Sequence, residues 1–339
     1  FNILKEHKVI VKNDERKEII RTQLNELAES FNAKVLIPES LLEEVNQLVE
    51  FPCAISGTFD EKYLVIPEAV NVTVMKSHQR YFPLFDQNDK LLPRFITISN
   101  MNLNPDNIRA GNERVLRARL EDAIFYYYDD LKTSLEENAE SLKKVTYFEE
   151  IGSIYDKSKR IEKIALHLAQ NYFSDLDTND VSKAARLCKA DLVTGMVQEF
   201  TELQGEIGYY YSQKAGEKED ISYAYKEQYL PIGNSEALAS RPLSQVVNFA
   251  DKLDNLVSCF SLGKIPTGSK DPFSLRRQSL GIIKTCDKYN ISLDIKSLFE
   301  YAFDVLVEQK NIKADKNDVV SKLTEFFNQR LKNDLIDKA

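Results

Sequence analysis

Two aspartates stand inside strongly apolar helical patterns, where a carboxylate must find a partner. Asp191 belongs to residues 184–211, AARLCKADLVTGMVQEFTELQGEIGYYY, whose apolar side chains recur at three- and four-residue steps and predict a buried helix. Asp251 lies in the similar stretch NFADKLDNL, residues 248–256. An ionised carboxylate in such a core is costly unless it is paired or hydrogen-bonded. The two positions therefore predict a helical bundle with an inward-facing acidic site, either intact or vestigial.

Metal binding is the first chemistry that such a site suggests, and the positions of the histidines disfavour it. The two stretches resemble those of HD-type metal phosphohydrolases, in which a His-Asp doublet, a later Asp and an upstream His hold a divalent cation. Here the doublet reads Ala190-Asp191, so its histidine is absent. His167, upstream, falls outside the apolar stripe of its own helical pattern and is expected to point toward solvent. Because such sites depend on imidazole ligands, we predict a degenerate site at Asp191 and Asp251 that holds no metal.

Two interpretations of these aspartates stay open. In the first they are structural, and they bond to the backbone or to Lys189 and Lys252. In the second the protein is an HD-type, metal-dependent phosphohydrolase that acts on a nucleotide, with His167 as a further metal ligand.

Three basic segments are the other candidates for function, because they lie on a chain whose net charge is −8. Residues 76–119 hold eight Lys and Arg against four Asp and Glu, a local +4 that leaves −12 for the rest. Such a distribution restricts where a polyanion can dock. Each segment also has a plainer interpretation as polar surface, intrahelical ion pairs or a solvated turn. The segments are KSHQRYF at 76–82, NERVLRARL at 112–120, and the turn GKIPTGSKDP at 263–272 with the two arginines that follow it.

The elements that must position these residues change character along the chain. Up to residue 99, helical and strand patterns alternate, including a hairpin of 81–85 with 94–99. A long helix is predicted for 112–132, and only helices are predicted after it. The fold class is therefore α+β, a mixed α/β part followed by a mostly helical bundle, with a boundary near Tyr147. Four scattered cysteines favour free thiols, and no apolar run is long enough to span a membrane.

Eight blocks occur in the order that is typical of one family, and together they are far more specific than any single motif. The sequence resembles the β subunit of bacterial heteromeric glycyl-tRNA synthetase, from about residue 13 to 284 and more loosely to the end. The resemblance implies a fragment that lacks the family's extreme N-terminus and most of its C-terminal anticodon-binding domain. The blocks are KSHQRYFPLF, LLPRFITISN, GNERVLRARLEDAIFYYYDDLK, GSIYDKSKRI, ARLCKADLVTGMVQEFTELQGEIGYYY, EQYLP, FADKLDNLV and IPTGSKDPFSLRRQSLGI.

The resemblance also implies three regions. Residues 1–146 are expected to form a mixed α/β domain like the editing-type domain of phenylalanyl-tRNA synthetase β chains. Residues 147–290 are expected to form an HD-like helical domain with a degenerate metal site. Residues 291–339 would be a helical linker at the start of the C-terminal region.

In that family the α subunit activates glycine with ATP and Mg²⁺, while the β subunit binds tRNA(Gly) and is required for transfer of glycine to it. The resemblance therefore implies the non-adenylating subunit of a glycine–tRNA ligase, a cytoplasmic heterotetramer that contacts neither membrane nor DNA. This chain would carry no catalytic residue and bind no cofactor or metal. A scaffold for the α subunit without tRNA contact is a further possibility.

The matching basic blocks supply the residues that would contact the tRNA acceptor arm or serve an architectural role, and the resemblance does not separate the two. They are His78, Arg80, Tyr81, Asn112, Arg114, Arg117, Lys270, Arg276 and Arg277.

Overall fold

In the computed structural model, which describes residues 2–233, 235–310 and 312–337, the chain divides into two units. One unit holds the residues up to Asp130 together with Glu199–Leu203. The other holds Leu131–Gln198 and the residues from Gln204 onward. Each unit has its own core.

This division falls earlier in the chain than the boundary expected near Tyr147. The helix Leu135–Ser141 accounts for the difference, because it packs against the 3-10 turn Ala190–Val193 of the helical unit. The three regions implied by the family resemblance stay predictions.

The first unit is an antiparallel sheet with helices packed on it. Its strands lie in the order Lys34–Val35, Phe82–Phe85, Leu91–Ser99 and Cys53–Thr58, and the hairpin predicted from the sequence is confirmed as the middle pair. The predicted long helix begins earlier than expected, at Pro105, since proline suits the first turn of a helix. The elements are α1 (Asn2–Glu6), α2 (Asn13–Ser30), β1 (Lys34–Val35), α3 (Glu39–Leu48), β2 (Cys53–Thr58), α4 (Glu68–Thr73), β3 (Phe82–Phe85), β4 (Leu91–Ser99) and α5 (Pro105–Asp130).

Successive side chains of β4 point to opposite faces of this sheet, so the strand contributes buried side chains on both faces. Ile96 belongs to a cluster with Leu24 of α2 and Leu42 of α3, all fully buried. On the other face, the ring of Phe95 stacks on Tyr81 with 4.5 Å between ring centroids. Gly57 lies opposite Phe95 in the sheet, and a Cβ there would lie 2.4 Å from the ring, so this position requires glycine.

The second unit is mostly helical, but the expectation that only helices follow residue 132 is wrong. Two short strands, Thr146–Phe148 and Gly152–Ser153, pair antiparallel, and Gly152 adopts a φ of +92° where the chain turns back. The elements are α6 (Leu135–Ser141), β5 (Thr146–Phe148), β6 (Gly152–Ser153), α7 (Ile154–Tyr172), α8 (Thr178–Leu187), α9 (Gly195–Glu199), α10 (Glu206–Lys214), α11 (Glu219–Glu227), α12 (Pro242–Ser261), α13 (Leu275–Tyr289), α14 (Ile295–Gln309) and α15 (Lys316–Asp337).

The continuous buried helix predicted around Asp191 is also wrong. The chain is broken there into α8, the 3-10 turn Ala190–Val193, α9 and α10. Thr194 leaves the helical region with a ψ of 148°, and its hydroxyl donates to the Asp191 carbonyl. Polar side chains that bond the nearby backbone in this way compete with helix continuation.

Helix α12 is the centre of the second unit. Seventeen of its twenty residues are buried, so it is surrounded on all sides, and α7, α8, α11, α13, α14 and α15 pack on it. Any charged side chain on this helix must therefore find its partner inside the protein. Among the residues that the structure describes, no helix is both long and apolar enough to cross a bilayer.

Candidate functional site

Asp191 lies in the 3-10 turn between α8 and α9 and is 2% exposed. Its Oδ2 accepts a hydrogen bond from the backbone N–H of Gly205 at 2.5 Å, whereas its Oδ1 has no hydrogen-bond partner among the described residues. Gly205 has a φ of +81°, which glycine adopts readily. Burial raises the pKa of Asp191 to about 6. The backbone interpretation of this aspartate therefore holds.

The raised pKa predicts a pH dependence of stability. A carboxyl group whose folded pKa lies above its unfolded value stabilises the fold when protonated, and this contribution is lost as the pH rises through about 6. When the pH rises from about 5 to about 7.5, the contribution of Asp191 to the free energy of unfolding should fall by on the order of 1 kcal/mol. The variant Asp191→Asn should lack this component in urea unfolding at the two pH values. An identical pH dependence in both proteins would contradict the assignment.

Two lysine side chains hold Asp251, one on each carboxylate oxygen. Lys157 Nζ lies 3.0 Å from Oδ1, and Lys189 Nζ lies 3.0 Å from Oδ2. Burial alone would raise the pKa of Asp251, but the two ammonium charges outweigh it and hold that pKa well below its usual range. Two cations thus lie where a divalent ion would have to bind this carboxylate.

The same lysine links Asp251 to a second buried aspartate. Lys157 Nζ lies 2.9 Å from Asp254 Oδ2, and Arg160 Nε donates to Asp254 Oδ1 at 2.6 Å. We call Lys157, Arg160, Lys189, Asp251 and Asp254 the charge cluster; all five are at most 5% exposed. Three cations meet two anions in it. The cluster joins α7 and the turn after α8 to α12 and leaves neither aspartate unpaired.

The surplus positive charge of the charge cluster is partly offset by aromatic faces. Lys157 Nζ lies 4.8 Å from the ring centroid of Tyr147, and Lys189 Nζ lies 4.1 Å from that of Tyr229. An ammonium group over an aromatic face is attracted by the ring quadrupole.

Lys252 and His167 do not take the positions expected from the sequence. Lys252 Nζ donates to the backbone carbonyls of Leu230 at 2.7 Å and Gln228 at 3.3 Å rather than to an aspartate, and burial lowers its pKa to about 7. His167 is half-buried and does not simply face solvent, because its ring stacks on Tyr301 with 3.8 Å between centroids. The helical wheel placed His167 outside its own stripe but could not show that α14 packs there.

Nothing in the described chain supports the phosphohydrolase alternative. Within residues 2–233, 235–310 and 312–337 there is no group of three or more His, Cys, Asp or Glu that could hold a metal ion. Asp251 is already neutralised by Lys157 and Lys189. The position equivalent to the doublet histidine is Ala190, which has no ligand atom and is fully buried.

In the first unit, the structure brings together Tyr81 and Asn112, both predicted as site residues. The Tyr81 hydroxyl donates to Asn112 Oδ1 at 2.5 Å, and Asn112 Nδ2 donates to the Ile108 carbonyl at 2.7 Å. Tyr81 is 3% exposed, and burial raises its pKa to about 12. These contacts face the protein interior, which favours the architectural interpretation of the pair.

Arg80 is paired with an acidic side chain, and His78 lies close to one without a hydrogen bond to it. His78 Nε2 lies 3.5 Å from Glu202 Oε2, with its ring edge-on to Phe200. Arg80 Nε donates to Glu44 Oε1 at 2.5 Å. The side chain of Arg80 is 46% exposed, so this pair can exchange for another anion at modest cost.

Arg114 and Arg117 are the exposed cations of α5 that have no internal partner. Neither side chain makes a hydrogen bond or ion pair with the part of the chain that the structure describes, and both are exposed. Arg119, two residues further on, is instead paired with Glu199 at 2.8 Å. Arg117 also lines a cavity of about 340 Å³ next to Lys62 and Glu121. The helix thus presents two free guanidinium groups three residues apart.

Comparison with known proteins gives this geometry a context. A family model described as "Glycyl-tRNA synthetase beta subunit" matches residues 1–339. The chain belongs to the glycyl-tRNA synthetase beta subunit family. It is 43% identical to the glycine–tRNA ligase beta subunit of Clostridioides difficile (strain 630) over 334 residues, which cover 98% of this chain and 48% of the relative. It is also 43% identical to that of Bacillus subtilis (strain 168) over 331 residues, covering 97% and 47%. The chain thus spans about half the length of the curated relatives it matches.

In this glycyl-tRNA synthetase beta subunit family member, the two arginines that follow the basic turn are held by neutral oxygen acceptors. Arg276 Nη2 donates to the Gly268 carbonyl at 2.7 Å. Arg277 donates to the Gly233 carbonyl at 3.3 Å and to the Ser274 hydroxyl. Lys270 pairs with Thr267 only through backbone groups, and its side chain is exposed. The two arginine charges are therefore held in place by neutral acceptors, whereas the ammonium group of Lys270 is not held by any described residue.

Sequence reasoning missed two cations beside Arg276. Lys284 and Arg330 line the same cavity, between α13 and α15. Lys284 follows Arg276 by eight residues on one helix, a spacing that places both on one face and was readable from the sequence. Arg330 lies on a helix far along the chain, and only the packing of α15 on α13 brings it there.

Proposed function

We propose that this chain is the tRNA-binding, non-adenylating part of a glycine–tRNA ligase. It holds tRNA(Gly) so that glycine activated with ATP and Mg²⁺ on an α subunit is transferred to the 3′ end of the tRNA. Membership of the glycyl-tRNA synthetase beta subunit family over the whole chain carries this proposal. The sealed charge cluster agrees with it, because that cluster offers neither an open metal site nor an unpaired aspartate on α12.

The assembly and location follow from the same proposal. The partner is the α subunit of the synthetase, in a cytoplasmic heterotetramer, and this chain binds no cofactor of its own. Its helical unit is an HD-like bundle in which two lysines, rather than a metal ion, neutralise Asp251. Its sheet-containing unit is like the editing-type domain of phenylalanyl-tRNA synthetase β chains.

The predicted tRNA-binding residues differ in what they can still contact. Arg114 and Arg117 are exposed and unpaired, so their guanidinium groups can take phosphate oxygens without breaking an internal bond. Arg80 must first exchange its acidic partner, His78 lies beside Glu202, and Tyr81 is buried. Phosphate contacts set affinity and position, since each contact releases condensed counterions from the nucleic acid.

The test is a double variant, Arg114→Ala with Arg117→Ala, in the full-length chain assembled with its α subunit. Removing two phosphate contacts should weaken tRNA(Gly) binding roughly tenfold and reduce the slope of log affinity against log salt concentration by about 2. Glycyl-adenylate formation should be unchanged, because the adenylate is made on the other subunit. Fluorescence anisotropy over a salt series and ATP–pyrophosphate exchange would measure the two effects.

The matched control is Arg21→Ala. Arg21 is a half-buried arginine of the same unit, and Glu39 pairs with it at 2.8 Å. The control should leave both the tRNA affinity and the salt slope unchanged. If the wild-type complex does not bind tRNA(Gly), the proposed function is wrong and the chain is a scaffold for α. If the wild-type complex binds and the double variant matches it, our placement of the contact on α5 is wrong.

A further inference from the structure

Three cationic side chains line a cavity between α13 and α15. The lining includes one carboxylate, which is too little negative charge to neutralise them. Arg276, Lys284 and Arg330 face a space of about 380 Å³ in which Asp334 supplies the carboxylate. We call this space the α13–α15 pocket. Its remaining lining residues are Leu280, Gln329 and Asn333.

The two arginines of the pocket are held in position by neutral acceptors. Arg276 Nη2 donates to the Gly268 carbonyl at 2.7 Å, and Arg330 Nη1 donates to the Phe326 carbonyl at 2.6 Å. The guanidinium of Arg330 also lies over the Phe326 ring, 3.6 Å from its centroid. These contacts fix the direction of each side chain but leave its charge and several of its N–H donors available.

The third cation is free. Lys284 is exposed and makes no hydrogen bond or ion pair within the described chain. The nearby Asp271 is engaged with the backbone N–H groups of Leu275 and Arg276, both at 2.9 Å. Burial and the neighbouring Arg276 lower the pKa of Arg330, against a smaller opposing effect of Asp271. The lining of the pocket thus holds three cations and one carboxylate.

We propose that the α13–α15 pocket binds a backbone phosphate of the tRNA. This inference rests on the proposed function. It extends the tRNA contact from α13, which holds Arg276, to α15, a helix with no predicted contact residue. Pre-oriented guanidinium groups with a flexible ammonium beside them suit a phosphate, which accepts several charge-assisted hydrogen bonds at once. The exposed amides of Gln329 and Asn333 can add further donors. The pocket also continues the basic turn, since Arg276 bonds to Gly268 of that turn.

The experiment compares Lys284→Glu and Arg330→Gln with wild type in the complete complex of full-length chains. Each variant should weaken tRNA(Gly) binding roughly tenfold and reduce the salt slope by about 1. Arg330→Lys keeps the charge and should recover much of the affinity lost in Arg330→Gln. Because Lys284 has no internal bond, its substitution tests the pocket even if the Arg330 variants fold poorly, which thermal unfolding would show.

The matched control is Lys332→Glu, which makes the same charge change on α15 but in a different groove, beside Lys296 and Glu300. This control should retain the wild-type affinity and slope. The pocket proposal is wrong if Lys284→Glu and Lys332→Glu bind tRNA(Gly) with equal affinity. The proposed function still stands in that case, provided that the wild-type complex binds tRNA and the Arg114 and Arg117 double variant binds it more weakly. A wild-type complex that does not bind tRNA would overturn both.

Discussion

Replacing Asp254 by Ala should lower the free energy of unfolding by about 3–5 kcal/mol, the largest single effect that we expect in the helical unit. Asp254 is 2% exposed and receives Lys157 on one oxygen and Arg160 on the other. Its removal leaves two buried cations without one of their anions, and the remaining Asp251 cannot serve both. Guanidinium or urea unfolding monitored by circular dichroism would measure the loss.

Two further variants test whether this loss of stability is specific to the charge cluster or follows from any aspartate substitution in the unit. Asp304→Ala removes an aspartate whose partner Lys316 is on the surface, and it should cost less than about 1 kcal/mol. Adding Arg160→Met to Asp254→Ala should recover stability, because it removes one of the stranded cations. A loss below about 1 kcal/mol for Asp254→Ala would contradict this account of the charge cluster.

Tyr81→Ala should destabilise the first unit by about 3–5 kcal/mol, because it removes a buried ring from the sheet core. The ring stacks on Phe95, and the hydroxyl bonds to Asn112. Tyr81→Phe keeps the ring and should cost about 1 kcal/mol, the typical value of one lost hydrogen bond. Unfolding curves of the two variants would measure both numbers.

The same two variants separate an architectural Tyr81 from one that touches tRNA. Tyr81→Phe should bind tRNA(Gly) as wild type does, since the hydroxyl faces the interior. Tyr128→Ala, at a ring that is 48% exposed in the same unit, should change stability by less than about 0.5 kcal/mol. A loss of tRNA affinity in a stably folded Tyr81→Phe complex would instead restore Tyr81 as a contact.

Helical and strand periodicity predicted the parts of this fold whose signal is local. The β3–β4 hairpin, α2 and the central α12 follow from apolar spacing, because one buried face per element leaves a readable pattern. The region around Asp191 did not follow. Its apolar spacing continues through the breaks at Thr194 and Gly205, and periodicity does not register a side chain that bonds its own backbone.

By itself, the sequence determined the family, the α+β class and the inward position of Asp191 and Asp251. Only the tertiary structure decided the partner of each charge. Lys189 and Asp251 are 62 residues apart in the chain, and Lys157 and Asp254 are 97 apart. A helical pattern shows which face of a helix is buried, but the group that meets a buried charge comes from another helix. The strong, short-range energetics of buried charges therefore act between residues that no local pattern connects.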